Sequence, residues 1–286
     1  MLPFVFVLIW STGFVAARLV ADHADPALFL TVRFVLAAAL FAVLARRAAW
    51  PRGPALVKHL VAGGLMTGVY LGASWWAVAH GLAAGVMALI GALQPLLTAI
   101  AAAALFGRRI GPVTAVGLAI GLAGVALVLA PRLAAAELSL VPVLAGLGSI
   151  AALTAGTMVQ KSSLAGDDLF TAGAIQHLGA ALVTSTMLGI GLAAGGTPHW
   201  DGSAALWLAL AWAVGVLSLG GTGLLILLVR RGDATRTTAL MLLVPPVAAL
   251  LAFILFGEAL TPIQFAGFAL ALAGVGLVQG LGVRRR

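Results

Sequence analysis

The feature that most constrains the fold of this sequence is a succession of apolar runs, each about 20 residues long. Short segments rich in glycine, proline and charged residues separate them. A helix of that length spans the hydrocarbon core of a bilayer. The runs lack the apolar–polar alternation of membrane barrel strands, so they predict helices. Only 8% of the residues are charged, whereas a typical soluble domain has about 25%. The sequence therefore predicts an all-α integral membrane protein.

Glycine, proline and charged residues divide the runs into ten predicted transmembrane helices. We place them at residues 2–21, 26–45, 56–79, 84–106, 112–130, 138–159, 169–194, 204–229, 235–256 and 262–282. The first run starts at Leu2 with no basic segment before it. We therefore expect it to be a first span and not a cleaved signal peptide.

The basic residues lie mostly in the short segments between the spans, as orientation signals do. With both termini in the cytoplasm, thirteen of the sixteen lysines and arginines fall in cytoplasmic segments and only Arg132 falls outside, while Arg18 and Arg33 lie within spans. We therefore expect a multi-pass protein with both termini cytoplasmic. Because the net charge of +8 is spread over short loops, we expect no nucleic-acid partner.

The chain contains an internal repeat with an offset of 150 residues. Residues 92–129 align without a gap on residues 242–279, and the alignment pairs Pro95 with Pro245. It also pairs two Phe-Gly motifs, a second proline, a glycine and two LAGV motifs. Apolar composition alone does not predict this shared order, so it indicates a true repeat.

Each half of the chain, residues 1–132 and residues 133–286, contains five predicted spans. Since five is odd, the second half enters the membrane from the opposite side, which makes a 5+5 inverted-topology repeat. Such repeats are typical of secondary transporters, which bind their substrate near the midplane between the halves. The sequence thus predicts a bundle of ten transmembrane helices with a central substrate cavity that works by alternating access.

Several motifs also point to a known family. WSTGFVAAR (10–18) and PALFLTVRFVLAAALF (26–41) are followed by two copies of P-x(10)-FG-x(4)-P-x(4)-G-x(6)-G and by GEAL at 257–260. In this order and spacing they resemble the first two helices, the repeat and the motif after the ninth helix of the drug/metabolite transporter superfamily, EamA type. One departure is that Arg108 takes the position in the first half that corresponds to Glu258 in the second.

The resemblance covers nearly the whole chain and implies small-molecule export across a bacterial inner membrane. Within the superfamily the sequence resembles YddG-like bacterial amino-acid exporters, and this resemblance implies hydrophobic or aromatic amino acids as substrates. Export of drugs or other small metabolites is the alternative within the superfamily, and a non-transporting membrane scaffold is the alternative from another class. The expected partners are a small-molecule substrate and the lipid bilayer; the oligomeric state is left open, a monomer included.

Ten polar, aromatic or helix-breaking residues inside the spans are predicted to bind the substrate. They are Trp10, Ser11, Tyr70, Ser74, Trp75, Gln94, Pro95, His177, Trp212 and Pro245. Proline frees the carbonyl four residues before it, and exposed backbone at membrane depth must face protein or water. Breaks at the repeat-equivalent Pro95 and Pro245 therefore point to the central site, with a simple packing kink as the alternative.

The third span contains GVYLGASWWAVAH (68–80), the stretch richest in such residues. Tyr70 and Ser74 are four apart and share one helix face, beside small residues that leave room for a cavity. For the tryptophans of this span the alternative is an aromatic belt at the membrane interface. For the candidates of the first and eighth spans it is ordinary helix packing.

Arg33 lies about seven residues into the second span, where a permanent charge facing lipid would cost several kcal/mol. One hypothesis makes it an anchor for a substrate carboxylate. The other makes it structural, as the partner of Asp22 or Asp25 or as a donor to exposed helix carbonyls. The superfamily carries an arginine here across varied substrates, which favours the structural role, so we expect Arg33→Ala to harm folding more than substrate preference.

All eight carboxylates lie in loops or at helix ends, whereas proton-driven pumps usually carry a protonatable group inside the membrane. This argues against carboxylate-coupled antiport of cations. It leaves His80 and His177 as candidates for proton coupling, with an interfacial position and a hydrogen-bonded buried position as their respective structural alternatives. The sequence shows no catalytic constellation, metal cluster or phosphate loop, so we expect neither an enzyme nor a cofactor.

Overall fold

A computed structural model describes residues 2–46, 48–106, 111–134, 139–163, 167–221, 243–258 and 260–278. Regular structure in these ranges is helical, apart from one isolated antiparallel bridge between Ala24 and Trp200. The helices are α1 (Leu2–Ala21), α2 (Pro26–Leu44), α3 (Pro54–Ala79), α4 (Ala84–Gly91), α5 (Gln94–Phe106), α6 (Pro112–Ala134), α7 (Leu140–Ser163), α8 (Leu169–Ala193), α9 (Ala204–Gly220), α10 (Val244–Phe256) and α11 (Pro262–Val278). Two of them include π-helical segments, Gly64–Val69 in α3 and Ala213–Gly220 in α9.

Most helix bounds lie within two residues of the predicted spans where the structure describes them, but α6 and α7 each end four residues beyond the predicted end. Within those ranges five helices, α2, α3, α6, α7 and α8, are long and apolar enough to cross a membrane. The remaining apolar helical stretches, such as Val7–Ala21 in α1, have 10–17 residues. The predicted span 84–106 is divided between α4 and α5. Residues 222–242, where the predicted span 204–229 ends and 235–256 begins, lie outside the described residues. The count of ten spans therefore stays a prediction.

Large apolar side chains point outward from the helices. Ile190, Leu208, Ile254 and Phe265 are between 64% and 71% exposed. Soluble proteins rarely present broad apolar surface to water, whereas lipid solvates such side chains. The described helices thus have the surface expected of membrane spans.

Prolines and short polar side chains set the beginnings of several helices. Pro26 and Pro54 lie in the first turns of α2 and α3, where a helix needs no backbone donor. The carboxylate of Asp25 caps α2 by accepting a backbone N–H three residues on, at 2.9 Å. Asp168 and Ser203 cap α8 and α9 in the same way. Asp25 is therefore engaged by its own helix.

Contacts divide the chain into two compact units that do not follow chain order. Unit A contains residues 1–15, 81–144 and 224–286, and unit B contains residues 16–80 and 145–223. The helices α4, α5, α6, α10 and α11 lie in unit A, and α2, α3, α8 and α9 lie in unit B. The predicted repeat boundary at residue 132 concerns a different division of the chain, and it stays a prediction.

In unit A, α6 and α11 cross at glycines. A Cβ atom placed on Gly124 would lie 2.6 Å from the carbonyl oxygen of Gly267, and one placed on Gly274 would lie 2.6 Å from that of Gly117. The two contacts exchange under the 150-residue offset of the sequence repeat. Residue numbers rise along one helix as they fall along the other, so α6 and α11 are antiparallel.

In unit B, α8 packs against both α2 and α3. Thr31 of α2 donates its hydroxyl to the hydroxyl oxygen of Thr184 in α8, at 3.0 Å. On α3, a Cβ atom placed on Gly68 would lie 3.0 Å from the Cα atom of Ala180. Small residues at such crossings let membrane helices pack through backbone contact, with side-chain hydrogen bonds between them.

The loops at one end of unit B are joined by polar contacts. The imidazole Nδ1 of His23 lies 2.5 Å from Oδ2 of Asp201, and the Asp201 N–H donates to the His23 carbonyl at 3.0 Å. The backbone N–H of Ser203, and then the His23 imidazole, lower the pKa of the Asp201 carboxyl to about 2. These bonds tie the α1–α2 loop to the α8–α9 loop.

Candidate substrate site

The ten predicted substrate residues divide between the two units. Unit A contains Trp10, Ser11, Gln94, Pro95 and Pro245, and unit B contains Tyr70, Ser74, Trp75, His177 and Trp212. In each unit, some of these ten residues lie close to residues that the sequence did not predict to bind the substrate.

Arg33 occupies the buried interior of unit B, with 5% of the residue exposed. Its Nε–H donates to the hydroxyl oxygen of Ser218 at 3.2 Å. The guanidinium carbon lies 5.5 Å from the ring centre of Phe34 and 5.9 Å from that of Trp75. At such distances the faces of aromatic rings attract a cation.

The acidic residues proposed as partners of Arg33 are engaged elsewhere. Asp22 forms an ion pair with Arg18, with 2.7 Å between Oδ1 and Nη1, and Asp25 caps α2. Within the part of the chain that the structure describes, no carboxylate lies within ion-pair distance of Arg33. The ion pair with Asp22 or Asp25 is thus absent from the structure.

Two of the predicted residues, Trp75 and His177, lie in the same buried region of unit B as Arg33. Trp75 is 2% exposed and stacks on Phe29, with ring centres 5.5 Å apart. The ring centre of His177 lies 6.0 Å from that of Phe34, and its Nδ1–H donates to the Gly173 carbonyl at 2.8 Å. We call Arg33, Phe29, Phe34, Trp75, His177 and Ser218 the Arg33 cluster.

Tyr70 and Ser74, the other candidates on α3, are both buried, as expected for residues four apart on one face. The hydroxyl of Ser74 donates to the carbonyl of Leu71 at 3.2 Å, which is a bond within its own helix. Their contact with a substrate stays a prediction.

Trp212 ends the α-helical part of α9 and is 42% exposed. The π-helical segment that follows contains Ser218, the hydrogen-bond partner of Arg33. Ser218 is the only hydroxyl residue between Trp207 and Gly221. A lone hydroxyl in an apolar run is the sequence signal that could have marked Ser218 as a candidate partner of a buried polar group. The role of Trp212 stays a prediction.

In unit A the structure brings Ser11 to the beginning of α10, next to Pro245. Ser11 is fully buried, and its hydroxyl donates to the carbonyls of Val7 at 2.7 Å and Val244 at 3.3 Å. Pro245 is buried in the first turn of α10. Ser11 therefore joins α1 to α10 as helix-packing serines do, while Trp10, its neighbour, is half-buried.

Gln94 and Pro95 follow the predicted interruption of the fourth span. Helix α4 ends at Gly91, the Leu93 N–H bonds back to the Ile90 carbonyl at 3.0 Å, and α5 begins at Gln94. Because Pro95 has no N–H, the Gly91 carbonyl cannot receive the usual helix bond. The break lies where the sequence predicts it; the surroundings of the Pro95 ring lie outside the described side chains.

Two polar contacts were not predicted. Glu258 accepts the backbone N–H of Ala84 at 3.2 Å, which places a carboxylate at the beginning of α4. In unit B, the fully buried His59 lies 2.8 Å from a carboxylate oxygen of Asp167 and 3.3 Å from the side-chain amide nitrogen of Gln176. The His59 partners are more than 100 residues away in sequence, so local patterns could not reveal them.

A cavity of about 420 Å³ lies in unit B, and its lining includes Asp25, Trp76, Met187 and Thr197. None of the ten predicted residues lines it. The central substrate cavity therefore stays a prediction. Among the described residues, no three histidine or acidic side chains are grouped as metal ligands.

Comparison with known proteins adds an independent finding. A model of the EamA-like transporter family matches residues 1–130 and 140–279. A protein of Salmonella typhimurium described as a probable amino-acid metabolite efflux pump is 26% identical over 292 residues, which cover 99% of this chain and 96% of that protein. A solved crystal structure shares the fold, with a TM-score of 0.65 and 22% identity over 96% of this chain and 94% of the other.

Proposed function

This chain belongs to the EamA-like transporter family, and on that premise we propose that it is a secondary transporter that exports hydrophobic or aromatic amino acids by alternating access. Family membership itself makes the chain a membrane transport protein. The substrate, the direction of transport and the mechanism belong to the proposal.

The antiparallel crossing of α6 and α11 is the observation that best supports the proposed mechanism. The contact of Gly124 with Gly267 and that of Gly274 with Gly117 exchange under the repeat offset. Two antiparallel helices with such reciprocal contacts are related by a two-fold axis perpendicular to both. For membrane spans that axis lies in the membrane plane, as in inverted repeats. The crossing therefore supports a bundle of ten helices in a 5+5 inverted repeat.

The two ranges matched by the family model lie close to the two predicted halves of the chain. Halves with inverted topology can exchange conformations, so that a site between them opens first to one side of the membrane and then to the other. We propose that the ten predicted residues contribute to that site.

The substrate class rests on the full-length relative described as a probable amino-acid metabolite efflux pump. The aromatic side chains of the Arg33 cluster suit an apolar or aromatic substrate body. Because that description includes metabolites of amino acids, similar small metabolites form the second candidate class.

The proposed location is a bacterial inner membrane with both termini in the cytoplasm. The thirteen-to-one distribution of basic residues between the two sides supports this orientation. In that orientation an exporter binds its substrate from the side of the termini and releases it on the opposite side.

The test measures transport of labelled amino acids across the membrane of liposomes that contain only the purified protein. Labelled phenylalanine, tryptophan, leucine and threonine are each measured with and without a proton gradient. We expect saturable flux that other hydrophobic amino acids compete away. Trp75→Ala should reduce it, whereas Trp76→Ala, which alters the half-buried neighbour, serves as the matched control. Absence of flux for all four amino acids would reject the substrate class and leave the family assignment standing.

A further inference from the structure

We propose that Arg33 binds the carboxylate of the transported molecule, so that the Arg33 cluster forms an anion site inside unit B. The inference rests on the proposed function, because it names the chemical group by which the substrate is recognised. Its direct support is the buried guanidinium itself.

The guanidinium of Arg33 has more donors than the described part of the chain satisfies. An arginine side chain carries five N–H groups and stays charged at any accessible pH. The Nε–H donates to Ser218, while the terminal nitrogens have no acceptor among the described residues. A buried cation without a counter-charge is strongly unfavourable, and the aromatic rings beside it compensate only in part. The arrangement is therefore complete only when an anion joins it.

The unfilled donors of the guanidinium indicate which kind of anion would join it. Arg33 is 5% exposed, so that anion would bind in the buried interior of unit B. A carboxylate fits best, because its two oxygens can accept two parallel N–H groups of one guanidinium.

The neighbours of Arg33 indicate the rest of the ligand. The rings of Phe34 and Trp75 lie within 6 Å of the guanidinium carbon, and Phe29 stacks on Trp75. These rings suit an apolar or aromatic body attached to the carboxylate. Since the described residues place no acidic group beside Arg33, the cluster itself offers no ion pair to an ammonium. The carboxylate should therefore matter more than the amine.

This changes the expectation formed from the sequence. A purely structural Arg33 required a carboxylate or carbonyl partner from the protein, and the residues that the structure describes supply neither. We now expect substitutions at Arg33 to change ligand preference as well as stability.

The test is ligand binding to the purified full-length protein in detergent, measured by thermal stabilisation. Two matched pairs are compared: phenylalanine with phenylalaninamide, and 3-phenylpropionate with 3-phenylpropionamide. We expect each carboxylate to bind about 10- to 100-fold more tightly than its amide, the ratio that a hydrogen bond between charged groups supports. Arg33→Gln should abolish that preference. Arg18→Gln, which alters a span arginine already paired with Asp22, should leave it unchanged.

An equal affinity for carboxylates and amides in the wild type, or an unchanged preference in Arg33→Gln, would overturn the proposal. Arg33→Lys covers the case in which the glutamine variant does not fold, because it keeps the charge and loses the planar pair of donors. We expect it to bind carboxylates several-fold more weakly and amides as before. Carboxylate affinity equal to that of the wild type would likewise contradict a guanidinium site.

The same data separate this inference from the proposed function. Phenylpropionate binding that depends on Arg33, without flux of any amino acid, would keep the anion site and reject amino-acid export. Amino-acid flux together with an Arg33-independent preference for carboxylates would keep export and reject the site.

Discussion

Gly124→Ala and Gly274→Ala should destabilise the protein by similar amounts, because the two glycines occupy equivalent places in the α6–α11 crossing. The added methyl group on Gly124 would lie 2.6 Å from the Gly267 carbonyl oxygen. The one on Gly274 would lie 2.6 Å from the Cα atom of Gly121 and equally far from the Gly117 oxygen. Non-bonded carbon atoms prefer about 3.5–4.0 Å. All these neighbours are backbone atoms, so no rotamer change can relieve the overlap.

The magnitude follows from two opposing effects. Overpacking costs about 1–3 kcal/mol, and a clash between two backbones belongs to the upper part of that range. Alanine is a better helix former than glycine by roughly 0.5–1 kcal/mol, which offsets part of the cost. We expect a net loss of about 1–2 kcal/mol for each variant. Because both substitutions widen the same crossing, the double variant should lose less than their sum.

Thermal unfolding of the purified protein in detergent, followed by tryptophan fluorescence, measures the effect. Gly148→Ala is the matched control, since it places a methyl group on α7 with nothing within 4 Å, and it should unfold at or above the wild-type temperature. If both crossing variants behaved like this control, the helices would not meet at these glycines. If only one of them lost stability, the reciprocal contacts expected of the repeat would be refuted.

Three other substitutions test separate contacts. Asp201→Asn should lower the unfolding temperature at neutral pH, and the difference should shrink as the pH falls from about 4 to 2. A carboxyl whose pKa is lowered to about 2 stabilises the fold above its unfolded pKa and loses that contribution as the pH falls through its folded pKa. Melting curves of both proteins across this range check it, and a pH-independent difference would contradict it. Glu258→Ala should cost about 1 kcal/mol by removing the acceptor at the beginning of α4, and Glu258→Gln should cost less; equal losses in the two melts would argue against a capping hydrogen bond. Ser11→Ala should cost about 0.6 kcal/mol as a lost interhelical hydrogen bond and also weaken phenylalanine binding, because Ser11 belongs to the proposed site; a loss of stability at an unchanged Kd would leave Ser11 with helix packing alone.

The sequence predicts the helices well because their determinants are local. Apolar length sets the spans, and residues such as Pro26 and Asp25 set where α2 begins. The break before Gln94 is equally local, since Pro95 removes a backbone donor. The repeat also identifies glycines such as Gly124 and Gly274 as equivalent positions before any contact is known.

The sequence does not predict the contacts that join distant segments. Arg33 and Ser218 are 185 residues apart, and hydropathy treats any apolar-flanked serine alike. Each compact unit combines segments that are separate in the chain, three in unit A and two in unit B, so the linear order of spans does not define them. The π-helical segment around Ser218 leaves the apolar composition unchanged, and hydropathy therefore does not distinguish it from an α-helix.

Counterflow of phenylalanine in proteoliposomes tests the proposed carrier most directly. Vesicles that contain only the purified protein are loaded with unlabelled phenylalanine and diluted into a trace of the labelled compound, with no ion gradient. A carrier that opens to one side at a time brings label in while it carries unlabelled molecules out, so we expect label to accumulate transiently inside above its external concentration. Label that merely equilibrates, at the same rate with and without internal phenylalanine, would contradict alternating-access transport of this substrate.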